Sequence, residues 1–114
     1  VFDYDYDTDT MIYKLRRHDS GFTTVRRERY LAGLAERKII RQDCVEPMRA
    51  LYAEAAKAPV RGIFDYAADD KGSGWHWNRA HYVSMANEEG RVCRMVGVVN
   101  NIEDKSGSGQ EPDR

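Results

Sequence analysis

Apolar and polar positions alternate from the first residue. Val1-Phe2-Asp3-Tyr4-Asp5-Tyr6 interleaves hydrophobic and acidic side chains, and Met11-Ile12-Tyr13-Lys14-Leu15 resumes a β-favouring run after the turn-forming Asp7-Thr8-Asp9-Thr10. A period of two on both sides of a turn predicts a hairpin over residues 1–15. A polar stretch over residues 16–21 closes on Ser20-Gly21, and the period then lengthens. Tyr30, Leu31 and Leu34 share a face at helical spacing, which predicts a first helix over residues 26–36 with Gly33 as its weak point. A second helix is marked more strongly. Asp43 suits an N-cap, Glu46 three residues on suits a capping box, Pro47 falls in the first turn, and Val45, Met48, Tyr52 and Ala55 recur every three or four residues. Pro59 should end it.

Beyond Pro59 the period returns to two. Residues 60–67 read as a strand, 68–74 as a turn, 75–86 as a long strand carrying both tryptophans, and 91–102 as the last strand. Asn87-Glu88-Glu89-Gly90 is a hairpin loop in which glycine can supply a positive φ. The expected architecture is an α+β domain over residues 1–105: a five-stranded antiparallel sheet with helices covering one face. Residues 106–114 are rich in Gly and Ser at their start and read as a flexible tail or linker.

Composition narrows the function. At 114 residues the chain has room for one core, and 41% hydrophobic with 11% aromatic residues suffices to fill a modest one. With 18 basic against 19 acidic residues the formal net charge is -1, and the doublets Arg16-Arg17 and Arg26-Arg27 are offset by acids elsewhere. A dedicated nucleic-acid binder needs a concentrated basic excess, so none is expected. Apolar runs are too short for a membrane span, so no membrane contact by this segment is expected. Two cysteines, Cys44 and Cys93, are too few for a disulfide framework and fit a reducing, cytoplasmic setting. The chain opens on Val rather than Met, which points to a segment of a longer protein whose output lies elsewhere.

Candidate chemistry is sparse. Asp3, Asp5, Asp7 and Asp9 invite comparison with a calcium loop, but counting from Asp5 the sixth position is Thr10 rather than Gly and the twelfth is Arg16 rather than Glu. His18, His76, His81, Cys44 and Cys93 lack the close pair spacing of a zinc site, and His76 and His81 fall on opposite faces of one strand. No nucleophile, base and orienting acid form a recognisable set. Neither a metal nor catalysis is expected of this segment.

Four stretches in the last third narrow the fold further: Asp70-Lys71-Gly72, Trp77, Asn87-Glu88-Glu89-Gly90-Arg91-Val92, and Val96-Gly97-Val98-Val99-Asn100-Asn101-Ile102-Glu103-Asp104-Lys105. They resemble the C-terminal motif of a PAS domain of the subgroup common in bacterial signalling proteins: lysine-aspartate-glycine, tryptophan, aspartate-glutamate-glycine, glycine-valine, aspartate-isoleucine-threonine. Ile40-Arg41-Gln42-Asp43 is similar to the segment that opens the long helix there, with Asp43 retained. Asn101 and Glu103 stand where that family usually has Asp and Thr.

The resemblance implies a PAS-like sheet and a non-catalytic sensory or regulatory module of a cytoplasmic signal-transduction protein. It would act as a homodimer and pass its signal to an output domain of the same polypeptide, such as a diguanylate cyclase or histidine kinase. Haem is disfavoured because residues 43–57 hold no His, and a light-sensing flavin because Cys44 sits in Gln42-Asp43-Cys44-Val45 rather than Asn-Cys-Arg. Periodicity does not choose which strand face is inward. The resemblance turns Asn78, Ala80, Tyr82, Met95, Gly97 and Val99 toward a pocket for a small ligand, and Trp75, Trp77, Val83, Val96 and Val98 outward to a dimer or inter-domain contact. The short middle segment, residues 16–58, suggests a small or closed pocket. The alternatives are a ligand-free protein-interaction module and a small α+β isomerase-type enzyme.

Overall fold

The opening alternation builds β1 (Phe2–Asp5) and β2 (Thr10–Arg16), paired so that Phe2 faces Tyr13 and Tyr4 faces Met11. The later alternation builds β4 (Arg61–Ala68), β5 (His76–Ala86) and β6 (Val92–Asn101), a meander of consecutive antiparallel pairs. Between them lie β3 (Phe22–Arg27), the single-turn α1 (Leu34–Arg37) and α2 (Gln42–Ala55). All strands form one antiparallel sheet in the order β3-β2-β1-β6-β5-β4. The architecture is that of a computed structural model, which describes residues 1–16, 19–69, 72 and 74–102. Arg17, His18, Asp70, Lys71 and the stretch from Glu103 through the expected tail lie outside the described residues.

The sheet has six strands, not five. The extra strand takes up Phe22-Thr23-Thr24-Val25, for which no element was expected, and the first two residues of the expected first helix, Arg26 and Arg27; its first four residues are β-branched or aromatic, and it pairs with β2 from Phe22↔Arg16 to Arg27↔Met11. The helical spacing of Tyr30, Leu31 and Leu34 is realised only in the turns of residues 28–33 and in α1. Lys38, in the left-handed region at φ 59°, closes that short helix.

α2 forms as its apolar spacing requires, burying Cys44, Val45, Met48, Tyr52 and Ala55 on one stripe. Its start differs from the expected capping box. Arg41 is the N-cap with no side-chain cap bond, and its guanidinium instead bonds Asp43 at 2.7 and 2.9 Å. Glu46 pairs with Arg49, and Pro47 lies inside the helix, in its second turn. Residues 39–44 then run along the free edge of β4. Arg41 N–H donates to the Ala67 carbonyl, Asp69 N–H to the Ile39 carbonyl, and Ala67 N–H to Cys44 Sγ. An open sheet edge is thereby covered by the chain's own backbone.

The core sits between the helices and one sheet face, with Phe2, Tyr4, Met11, Leu34, Val45, Met48, Tyr52, Ala80 and Met95 buried. Tyr52 is its centre. Its ring lies edge-on to Tyr4 at 5.0 Å, beside Tyr6 and Tyr30, and edge-on to Phe64 at 6.3 Å. The hairpin turn is tied to the turn before α1 by Asp9: its carboxylate accepts from Tyr4 Oη and from the Leu31 and Ala32 amides, and its carbonyl from the Tyr30 amide.

Glycine is required at position 97. A Cβ there would collide with the His81 carbonyl and come within 2.6 Å of the Phe2 ring, and the carbonyl belongs to a paired strand that cannot swing aside. Gly97→Ala should therefore destabilise the fold by about 1–3 kcal/mol, the usual overpacking cost. Gly62→Ala should cost less, because its obstacle is the Tyr82 side chain. Urea midpoints of the two variants check the order.

Candidate functional site: a cavity under the helices

The helices do not close fully onto the sheet. A cavity of about 970 Å³ remains between them, at the upper end of the range of small-molecule sites. Its roof is Tyr30, Leu34, Ile39, Ile40, Met48 and Tyr52, brought together by the turn before α1, the edge segment and α2. Its floor is Phe2, Met11 and Leu15 on the N-terminal hairpin and Phe64, Ala80 and Val99 on the meander. Period-two geometry explains the set, since cross-strand partners such as Phe64↔Ala80↔Val99 share one face. The pocket is larger than the short middle segment suggested, because β3 and its turn widen the enclosed space at the far side of the sheet; Phe22 and Arg27 of that strand line it.

Of the six residues assigned to the inner face, Asn78, Ala80 and Val99 line the cavity. Met95, fully buried, and Tyr82 belong to the packed core, with Tyr82 lying over Gly62. Gly97 lies under the Phe2 ring rather than opening into space. A polar end that the sequence reading missed comes from Asn101, His76 and Tyr66, which join Asn78 in the lining. Asn101 Nδ2 donates to Asn78 Oδ1 at 2.7 Å, and Asn78 Nδ2 to the His76 carbonyl at 3.3 Å. The signal for Asn101 and Tyr66 was available in the strand alternation, but only the register Tyr66↔Asn78↔Asn101 shows that they meet.

The outer face sorts differently. Trp75 is 48% and Val98 44% exposed, whereas Val83 and Val96 are half-buried. Trp77 is packed against the core, and the Arg41 guanidinium stacks over its ring at 4.9 Å. Ile63 is exposed too, and it joins Val98 across His81 in one row. The acids of the opening run are dispersed: Asp3 pairs with Arg94, Asp7 with Arg91, and Asp9 holds the turn. Hydrogen bonds from Arg94 hold the Asp3 carboxyl below its ordinary range against some desolvation, and those from Arg91 do the same for Asp7. Among the described residues, no three His, Cys, Asp or Glu side chains gather as a metal site.

Tyr52 is 1% exposed, and its hydroxyl has no hydrogen-bond partner among the described residues; only its carbonyl is used, accepting from Tyr6 Oη at 2.8 Å. Burial first, then neighbouring tyrosines, push the Tyr52 hydroxyl well above its ordinary pKa. Burial pushes Tyr6 up to about 12. For both, the neutral form is favoured in the folded state. Their contribution to stability is therefore whole below the unfolded tyrosine value, about 10, and is lost as pH rises through the folded values. Alkaline titration followed by circular dichroism and tyrosinate absorbance should show Tyr52 ionising only as the fold is lost, and Tyr52→Phe should flatten the alkaline limb. No family model matches the sequence, and no curated protein matches it.

Proposed function

We propose that this domain is a sensory or regulatory module with a PAS-like fold, which holds a small ligand between sheet and helices and relays its presence to an attached output domain. The observation that carries the reading is the cleft of about 970 Å³, partly open to solvent, because a concave, mostly apolar space of that size between sheet and helices is the usual form of a small-molecule site. The element order supports it as well: an N-terminal hairpin, helices, then a three-strand meander, with the motif-bearing strands β5 and β6 lining the space. The module itself is non-catalytic and needs no haem, flavin or metal. Relay runs through the sheet, by way of β5 and β6, which line the cavity.

Native mass spectrometry of the purified protein should show a small molecule bound noncovalently and released on denaturation. A protein that is ligand-free and gains no thermal stability from any member of a metabolite panel would overturn the sensing role.

The second reading, a ligand-free interaction module, is favoured by one feature, the exposed cross-strand row Ile63, His81 and Val98. In both readings this face makes the homodimer. Val98→Glu should shift sedimentation equilibrium toward monomer by about tenfold in Kd or more, as a charge at a contact centre does, without changing the melting temperature by more than a few degrees. An unchanged association constant would remove this face from the interface.

A further inference from the structure

We propose that the cavity is built for an apolar organic acid, with the carboxylate held at the β2–β3 side and an aromatic or aliphatic body lying among the tyrosines and phenylalanines; this rests on the cavity being a ligand site.

The first argument is charge. The chain as a whole is balanced at 18 basic and 19 acidic residues. The lining of the cavity, among the described residues, contains Lys14, Arg27 and Arg37 and no Asp or Glu. On the outer sheet face Arg79 pairs with Asp65 and Arg94 with Asp3. Arg27 and Arg37, both half-buried, pair with no carboxylate among the described residues, whereas Lys14 is exposed at the rim, on the strand face opposite Met11 and Leu15. Arg37 donates to the carbonyls of Glu28, Arg29 and Tyr30 and stacks on the Tyr30 ring, so among the described residues its charge meets dipoles and a π face but no anion. Arg27 and Lys14 make no ion pair among the described residues. Arg26, its neighbour in sequence, turns to the other face and pairs with Glu28, which leaves Arg27 alone on the cavity side. Half-buried guanidinium without a counter-ion favours binding of an anion, because the partner restores what desolvation removed.

The second argument is the remaining lining. Tyr30, Phe64 and Leu15 offer flat or branched apolar surface suited to a hydrocarbon body. Tyr52, which is 1% exposed and whose hydroxyl has no partner among the described residues, belongs to the same lining.

The test uses matched carboxylate and primary-amide pairs, from benzoate through 2-naphthoate to decanoate, titrated by calorimetry into the purified protein at low ionic strength. At least one carboxylate should bind about tenfold or more tightly than its amide, a charge-assisted gap. Arg27→Gln should close most of that gap while leaving the amide affinity unchanged; the melting temperature of the variant verifies that it folds. Equal binding of acid and amide overturns the proposal while the ligand site stands, and so does a gap that persists in the Arg27→Gln/Lys14→Gln double variant. Failure of every acid and every amide to bind overturns the ligand site itself.

Discussion

The pairing of β1 with β6 holds the molecule together. In the order β3-β2-β1-β6-β5-β4 it is the one join between the N-terminal hairpin with its extra strand and the C-terminal meander. It spans only Phe2–Asp5, yet it unites residues 89 to 95 positions apart, from Asp5↔Arg94 to Phe2↔Gly97. Such a non-local contact must recover a large loop-closure entropy. It does so on both faces. Inside, Phe2 lies over Gly97 and Tyr4 over Met95, under Tyr52 of α2. Outside, Asp3 and Asp7 take hydrogen bonds from Arg94 and Arg91 across the seam, and the Tyr6 amide adds a backbone bond to the Cys93 carbonyl. Each exposed ion pair contributes at most about 1 kcal/mol, so the buried packing dominates and the charges fix the register.

The same seam separates tight packing from open space. Where β1 meets β6 the Phe2 ring lies against Gly97, and no room is left. One residue pair further along the meander, Ala80 and Val99 replace them, while α2 and the turn before α1 span over to β2 and β3. Small residues on the floor under a roof carried by other elements leave a cavity, because the helices are held at their height by Tyr52 on one side and by the edge bonds of residues 39–44 on the other. The roof cannot settle without breaking one of these.

Charge follows the strand alternation. On β1, β5 and β6 the outward positions carry Asp3, Arg79 and Arg94, each neutralised across strands, and the inward positions carry no Asp, Glu, Lys or Arg. On β3 the pattern places Arg27 inward, against the usual economy of burying a charge. An unpaired cation at the rim of an apolar space is tolerated because the site is only half-buried, and it gives the cavity its polarity.

Local pattern determined much of this. The hairpin, α2 and the meander were legible because each is specified by a period, two or 3.6, and by the turn residues that bound it. The alternation on β5 and β6 likewise grouped Asn78, Ala80 and Val99 on one face with Met95 and Gly97. The first helix was misread, because Tyr30, Leu31 and Leu34 have helical spacing over a span too short to propagate, while Phe22 to Val25 found hydrogen-bonding partners on β2 that no local pattern displays. Which glycine faces a ring and which alanine faces a void, that Trp77 is capped by Arg41, and that Arg27 reaches the cavity while Arg26 does not, were decided by the tertiary structure. The reason is physical: periodicity assigns a side chain to a face, but only the register between strands distant in sequence, and the height at which the helices rest, determine what stands opposite it.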